Sequence, residues 1–122
     1  MEWSPAHHAV EHEDLPTLRD LLDNGHDVQD SDTQGWSLLH HSIDVEIDGH
    51  QQTGEPLHVD VTAYLLARGA NPSAASHRYG TPLQMAEDRG HWLATELIRS
   101  WLARPNSGSK GSASSGGAPA LG

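Results

Sequence analysis

Leucines and other large apolar residues recur at helical spacing in three stretches of the chain. Leu15, Leu18, Leu21 and Leu22 share one face, as do Val61, Leu65 and Leu66, and later Leu93, Leu97, Ile98, Trp101 and Leu102. This is the period of an amphipathic α-helix. A shorter helix is predicted before each. Its start is marked by Ser4-Pro5 and again by Thr81-Pro82, a hydroxyl N-cap followed by proline at the first helical position. Leu83 and Ala86 then fall on one face. Asp14 is placed to cap the first of the longer helices, with Pro16 tolerated in its first turn. Gly25 and Gly69 follow double leucines, where a left-handed residue ends a helix. After them come "HDVQDSDTQGW" and "ANPSAASHRYG", polar, turn-rich links without room for another helix.

These elements repeat. "SPAHHAV" from Ser4 aligns with "SLLHHSI" from Ser37 at 33 residues, and "TPLQMAE" begins at Thr81, 44 residues further on. Gly25 and Gly69 are also 44 apart, and each stands 12 residues before the next Ser or Thr start. The extra eleven residues therefore lie inside the second repeat, between its two helices. They belong to "VEIDGHQQTGEPLHVD" (Val45 to Asp60), and the expectation is a long loop over 46–57. Such a loop is either padding or a contact element, and its place at the joint between two helices favours contact.

"GTPLQMAEDRGH" (Gly80 to His91) resembles the T-P-L-H-x-A signature of ankyrin repeats, and "LLARGANP" and "LLDNGHDV" resemble the end of that repeat's second helix. The resemblance covers residues 3 to 103. It implies an all-α fold, an ankyrin-repeat α-solenoid of three helix-turn-helix units with projecting β-turns. The domain would be 1–103, with repeats at about 4–36, 37–80 and 81–103. A tetratricopeptide array does not fit the Pro-Leu-His start or the long turn between units. Departures are His26 for alanine, Leu38 for proline, Gln84 for histidine and Glu13 for glycine. The first repeat begins almost at Met1, which leaves little room for an N-terminal cap, and three units are about the minimum for a stable stack. Marginal stability is expected.

The resemblance splits the paired histidines. His7 and His40 match the signature histidine, which implies a structural role bonding the neighbouring loop backbone; Thr81, Pro82, Gly25 and Gly69 complete the structural set. His8 and His41 match a variable position on the concave, partner-facing side. The candidate partner-binding residues on that side are His8, Glu11, His41, Asp44, Met85 and Asp88. The projecting turns add Asp32, Gln34 and Trp36 from one tip and His77, Arg78 and Tyr79 from the other, because Trp, Tyr and Arg most often dominate binding energy. Trp36 and Tyr79 packing back onto their own helices is the competing reading. Trp92 and Trp101 are expected to seal the last repeat or to form a dimer patch.

Composition removes several chemistries. There is no cysteine, so disulfides, cysteine zinc sites and cysteine nucleophiles are excluded. The stretch from Val45 to Asp60 mixes Glu46, Asp48, His50, Glu55 and His58, but lacks the ligand spacing and placed glycine of a calcium loop. Ser37 and Ser42 lie near histidines, but nothing resembles a nucleophile elbow. The expectation is a non-enzyme without cofactor. Two imidazoles from His8 and His41 sharing an ion is the metal-binding alternative, although zinc wants three or four ligands.

Charge is uneven. Residues 1–60 hold fourteen acidic residues against Arg19 alone, a net of −13, while residues 61–122 net +3. An acidic half disfavours phosphate backbones and favours a basic protein partner. The N-terminus lacks a basic, apolar secretory start, and no apolar run reaches membrane-spanning length. A cytoplasmic protein-interaction module is expected, with no nucleic acid or membrane partner, as a monomer or weak dimer. A narrower form is an inhibitor or immunity-type protein masking a cationic toxin or nuclease. The alternative of another class is a histidine-dependent metal-binding or hydrolytic protein. Residues 104–122, rich in Gly, Ser, Ala and Pro, are expected to be a disordered tail.

Overall fold

Helix starts in this chain are set by short-range hydrogen bonds that recur in each repeat. Ser4 accepts from the His7 amide (3.3 Å), Ser37 from that of His40 (3.2 Å) and Thr81 from that of Gln84 (3.1 Å). At Ser37 and Thr81 the box is reciprocal, since His40 Nδ1 and Gln84 Oε1 accept the cap residue's own amide. The computed structural model describes residues 3–104. It contains α1 (Pro5–Glu11), α2 (Leu15–Asp23), α3 (Leu38–Thr53), α4 (Asp60–Ala67), α5 (Pro82–Arg89) and α6 (Trp92–Ala103). No strand lies among the described residues, only the isolated bridges Ser31–Ser37 and Ser76–Gly80 that close two projecting hairpins.

The helices stack in pairs. α1 packs on α2, α3 on α4 and α5 on α6; α3 lies between α1 and α5, and α4 touches α6. One continuous core runs through all three pairs, from Val10, Leu18 and Leu22 through Ile43, Leu65 and Leu66 to Ala86, Ala94 and Ile98. Most of the periodic apolar residues of the second helices supply it, while Leu93 and the 48% exposed Leu102 stand outside it. The expected all-α repeat solenoid is what the chain forms.

Helix ends follow the same economy. Gly25 (φ 98°) and Gly69 (φ 100°) adopt the left-handed conformation expected of them. At the first, His26 N bonds Leu21 O and Gly25 N bonds Leu22 O; at the second, Ala70 N bonds Leu65 O and Gly69 N bonds Leu66 O. These double bonds satisfy carbonyls that a helix end would otherwise strand.

The expected loop over 46–57 is corrected. The extra residues continue α3 to sixteen residues, against seven in α1 and eight in α5. Ile47 follows Ile43 on the buried face, and Gln52 bonds Asp48 one turn back at 2.9 Å. Both are helix-favouring pairs four residues apart. Gly54 (φ 75°) ends the helix, and 55–59 lead into α4. The tail expected at 104–122 lies, apart from Arg104, outside the described residues.

Candidate functional site

The two hairpins are built alike, with Asp32 and Ser76 at the same register position. Asp32 Oδ1 accepts the amides of Gln34 (2.8 Å) and Trp36 (3.0 Å), while Ser76 Oγ accepts those of Arg78 (3.1 Å) and Tyr79 (3.2 Å). Ser76 Oγ also donates to the Gln34 carbonyl at 2.6 Å, which ties one hairpin to the next. Gly35 (φ 81°) lies at this seam, where a Cβ would come within 2.9 Å of Ser76 Cα.

This stitching fixes the aromatic side chains. Trp36 meets Tyr79 edge to face with centroids 4.5 Å apart, and lies 5.9 Å from both His40 and His41. Trp3 lies 4.5 Å from His41 on the other side. Trp3, His41, Trp36 and Tyr79 thus form a row of rings across the repeats. They line one wall of an open groove of about 670 Å³, whose other lining residues are Asp32, Asp44, Arg78, Met85, Asp88 and Arg89. Asp44 and Arg89 form an ion pair across α3 and α5, and the Arg78 guanidinium lies 5.8 Å from the Tyr79 ring centre.

Eight of the twelve candidate contact residues line this groove, namely Asp32, Trp36, His41, Asp44, Arg78, Tyr79, Met85 and Asp88. Gln34, His77, His8 and Glu11 do not. Two of the eight are not the surface residues expected. His41 is 1% exposed, and Met85 is also buried. Both ring nitrogens of His41 are engaged, Nε2 with Glu11 at 2.8 Å and Nδ1 with His7 Nδ1 at 2.9 Å, so the ring does not converge with exposed His8 on a shared ion. Sequence reasoning missed Trp3 and Arg89 as groove residues. Trp3 had a legible signal, since it precedes Ser4 as Trp36 precedes Ser37.

The signature histidines have different surroundings. His40 Nδ1 accepts the Ser37 amide, so its proton sits on Nε2, which donates to the Gly80 carbonyl at 2.8 Å. This is the loop bond expected of it. His7 is equally buried, but its Nδ1 pairs with His41, and its Nε2 is buried without a partner among the described residues. Burial lowers the pKa of both rings; the His41 ring adds to this at His7, while the Gly80 carbonyl and Asp32 oppose it at His40.

A second polar centre lies within the long α3. Glu46 is fully buried and accepts four bonds, from Val61 N (2.9 Å), Thr62 N (3.0 Å), Thr62 Oγ1 (2.7 Å) and His91 Nε2 (2.8 Å). It caps α4, where Val59 offers no side-chain acceptor. His91, in turn, caps α6 by accepting the Ala94 amide on Nδ1. Glu46, His58 and Asp60 bring ligand-type atoms within 4.8 Å of one another. Both Glu46 oxygens are already spent on protein donors, and both His58 nitrogens face carboxylates, Asp60 on one side and Glu13 (2.9 Å) on the other. The arrangement works as internal bonding.

Three stacked helix pairs with stitched hairpins and a groove along one side define a helical repeat scaffold. Residues 6–43, from α1 into α3, match the family model described as ankyrin repeats (many copies). Over that stretch the chain is similar to ankyrin repeats. Members of this family are generally protein–protein interaction modules and are typically non-catalytic. A search of curated proteins found no match. Among the described residues no helix is long and apolar enough to cross a membrane.

Proposed function

We propose that this chain is a non-catalytic protein-binding module of the cytoplasm, whose concave groove and hairpin tips receive a basic protein. The observation that carries this reading is the groove itself. It is open, lined by three large aromatic side chains with carboxylates beside them, and held by hairpins whose own hydrogen bonds pre-set the rings. Rigid aromatic anchors in a preformed concavity lose little entropy on binding. The net charge of −13 over residues 1–60 supplies long-range attraction for a cationic surface.

The test is capture of partners from native lysate on the untagged chain, followed by mass spectrometry and repeated with Trp36→Ala and Tyr79→Ala. A partner held by the groove is lost from both variants, and it dissociates as ionic strength rises above the physiological range. Retention by both variants would remove the groove from the reading. Retention at high salt would remove the basic partner.

A further inference from the structure

The aromatic row and the charges of the groove together select a ligand chemistry. Trp3, Trp36 and Tyr79 present their rings along one wall of the groove, with the buried His41 ring packed between them, 4.5 Å from Trp3 and 5.9 Å from Trp36. Such faces attract cations, with arginine the commonest partner. Of the groove's carboxylates, Asp44 is neutralised by Arg89, and Asp32 Oδ1 is occupied by hairpin amides. Asp88 is exposed and has no partner among the described residues, so it is the groove carboxylate with neither oxygen engaged. Of the groove's own cations, Arg89 is paired with Asp44, and the Arg78 guanidinium lies 5.8 Å from the Tyr79 ring centre.

We propose that the groove recognises an arginine side chain on an extended segment of the partner, its guanidinium against the aromatic row and its charge met by Asp88. This rests on the protein-binding reading above and names what that site selects. Arginine fits better than lysine because its planar, weakly hydrated guanidinium stacks on rings and bonds a carboxylate with two parallel N–H groups. A quaternary ammonium would have no N–H to give Asp88. An anionic segment would meet an unpaired carboxylate.

A random peptide library displayed on phage, selected on the full chain, supplies the probes. Binding of selected peptides is then measured through tryptophan fluorescence, with Asp88→Asn and Trp36→Ala as variants and thermal unfolding as the check on their folding. The proposal expects arginine enriched at one position of the selected peptides. Replacing that arginine by glutamine should weaken binding about tenfold, and replacement by lysine should weaken it severalfold. Asp88→Asn should cost the arginine peptide about tenfold and the glutamine peptide nothing, the non-additivity that marks direct contact. Peptides that bind through Trp36 without arginine enrichment would overturn the arginine inference and leave the groove reading standing. Equal losses for both peptides on Asp88→Asn would also overturn it. If no selected peptide loses affinity on Trp36→Ala, the groove reading falls together with the inference.

Discussion

Glu13 has a φ of 53°, the only non-glycine residue with positive φ among those described, at the register position where the third repeat has Gly90 (φ 78°). A left-handed conformation costs an L-residue about 1–2 kcal/mol. Burial also pushes the Glu13 carboxyl up from its usual range, opposed by His58, whose Nε2 lies 2.9 Å away. An ion pair this exposed contributes about 0.2–1 kcal/mol. Backbone relief is the larger effect, so Glu13→Gly is expected to stabilise by about 0.5–1 kcal/mol net of glycine's added chain entropy, read as a higher urea midpoint. An unchanged or lower midpoint would mean the His58 contact outweighs the strain. The departure at Glu13 was legible from the repeat register, because a glycine signature implies a dihedral angle. The different burial of His8 and His41 was not. α3 is flanked by α1 and α5, whereas α1 has one inner-row neighbour among the described residues, so the same position is covered in one repeat and open in the other.

Helix starts and stops are the elements best written in the chain, since Ser-Pro, Thr-Pro and Leu-Leu-x-x-Gly act over a few residues. The form of the eleven-residue insertion was hidden for the opposite reason. Its polar stretch contains Gly49 and no strong apolar period, and what makes it helical is the joining of Ile47 to the core and of Glu46 to two other helices. A glutamate read as one acid in a mixed loop is instead the buried acceptor for the start of α4. Glu46→Ala would strand two backbone amides and His91 Nε2, each at about 1–3 kcal/mol, while the Thr62 hydroxyl keeps Ser42 Oγ at 2.9 Å. A loss of roughly 3 kcal/mol or more is expected, enough to unfold a marginal domain. Glu46→Gln keeps the size and some bonding, so about half that loss is expected. Hydrogen exchange at Val61 and Thr62 separates local from global effects. In Glu46→Gln these amides should lose more protection than those of Leu65 and Leu66. A uniform loss along α4 would contradict the capping role.

Across the whole molecule, histidines rather than carboxylates should govern stability near neutrality. His7 and His40 sit inside the stack with pKa values below the ordinary 6.5, burial being the main cause. His7 faces His41, Asp30 and Asp32, and His40 faces the Gly80 carbonyl and Asp32. Below 6.5 the unfolded chain takes up protons that these rings refuse in the fold. Their stabilising contribution is therefore complete above 6.5 and is lost as pH falls through the lowered folded values. His58 acts in the opposite sense. Burial opposes its charge, but Asp60, Glu13 and Glu46 prevail and raise its pKa, so it stabilises below 6.5 and ceases to as pH rises through the raised value. That side chain is 43% exposed and its pairing is screened, so two buried rings outweigh it. Thermal unfolding followed by circular dichroism should give a lower Tm at about pH 5.5 than at about pH 7.5. His40→Gln copies the arrangement that Gln84 already makes with Thr81 in the third repeat, keeping the cap without a titrating ring. It should lower the Tm at neutral pH, through loss of the Gly80 bond, and shrink the acid-induced drop. His58→Gln should deepen that drop. A wild-type Tm that rises on acidification would show instead that the surface pair at His58, not the buried rings, governs how the stack responds to pH.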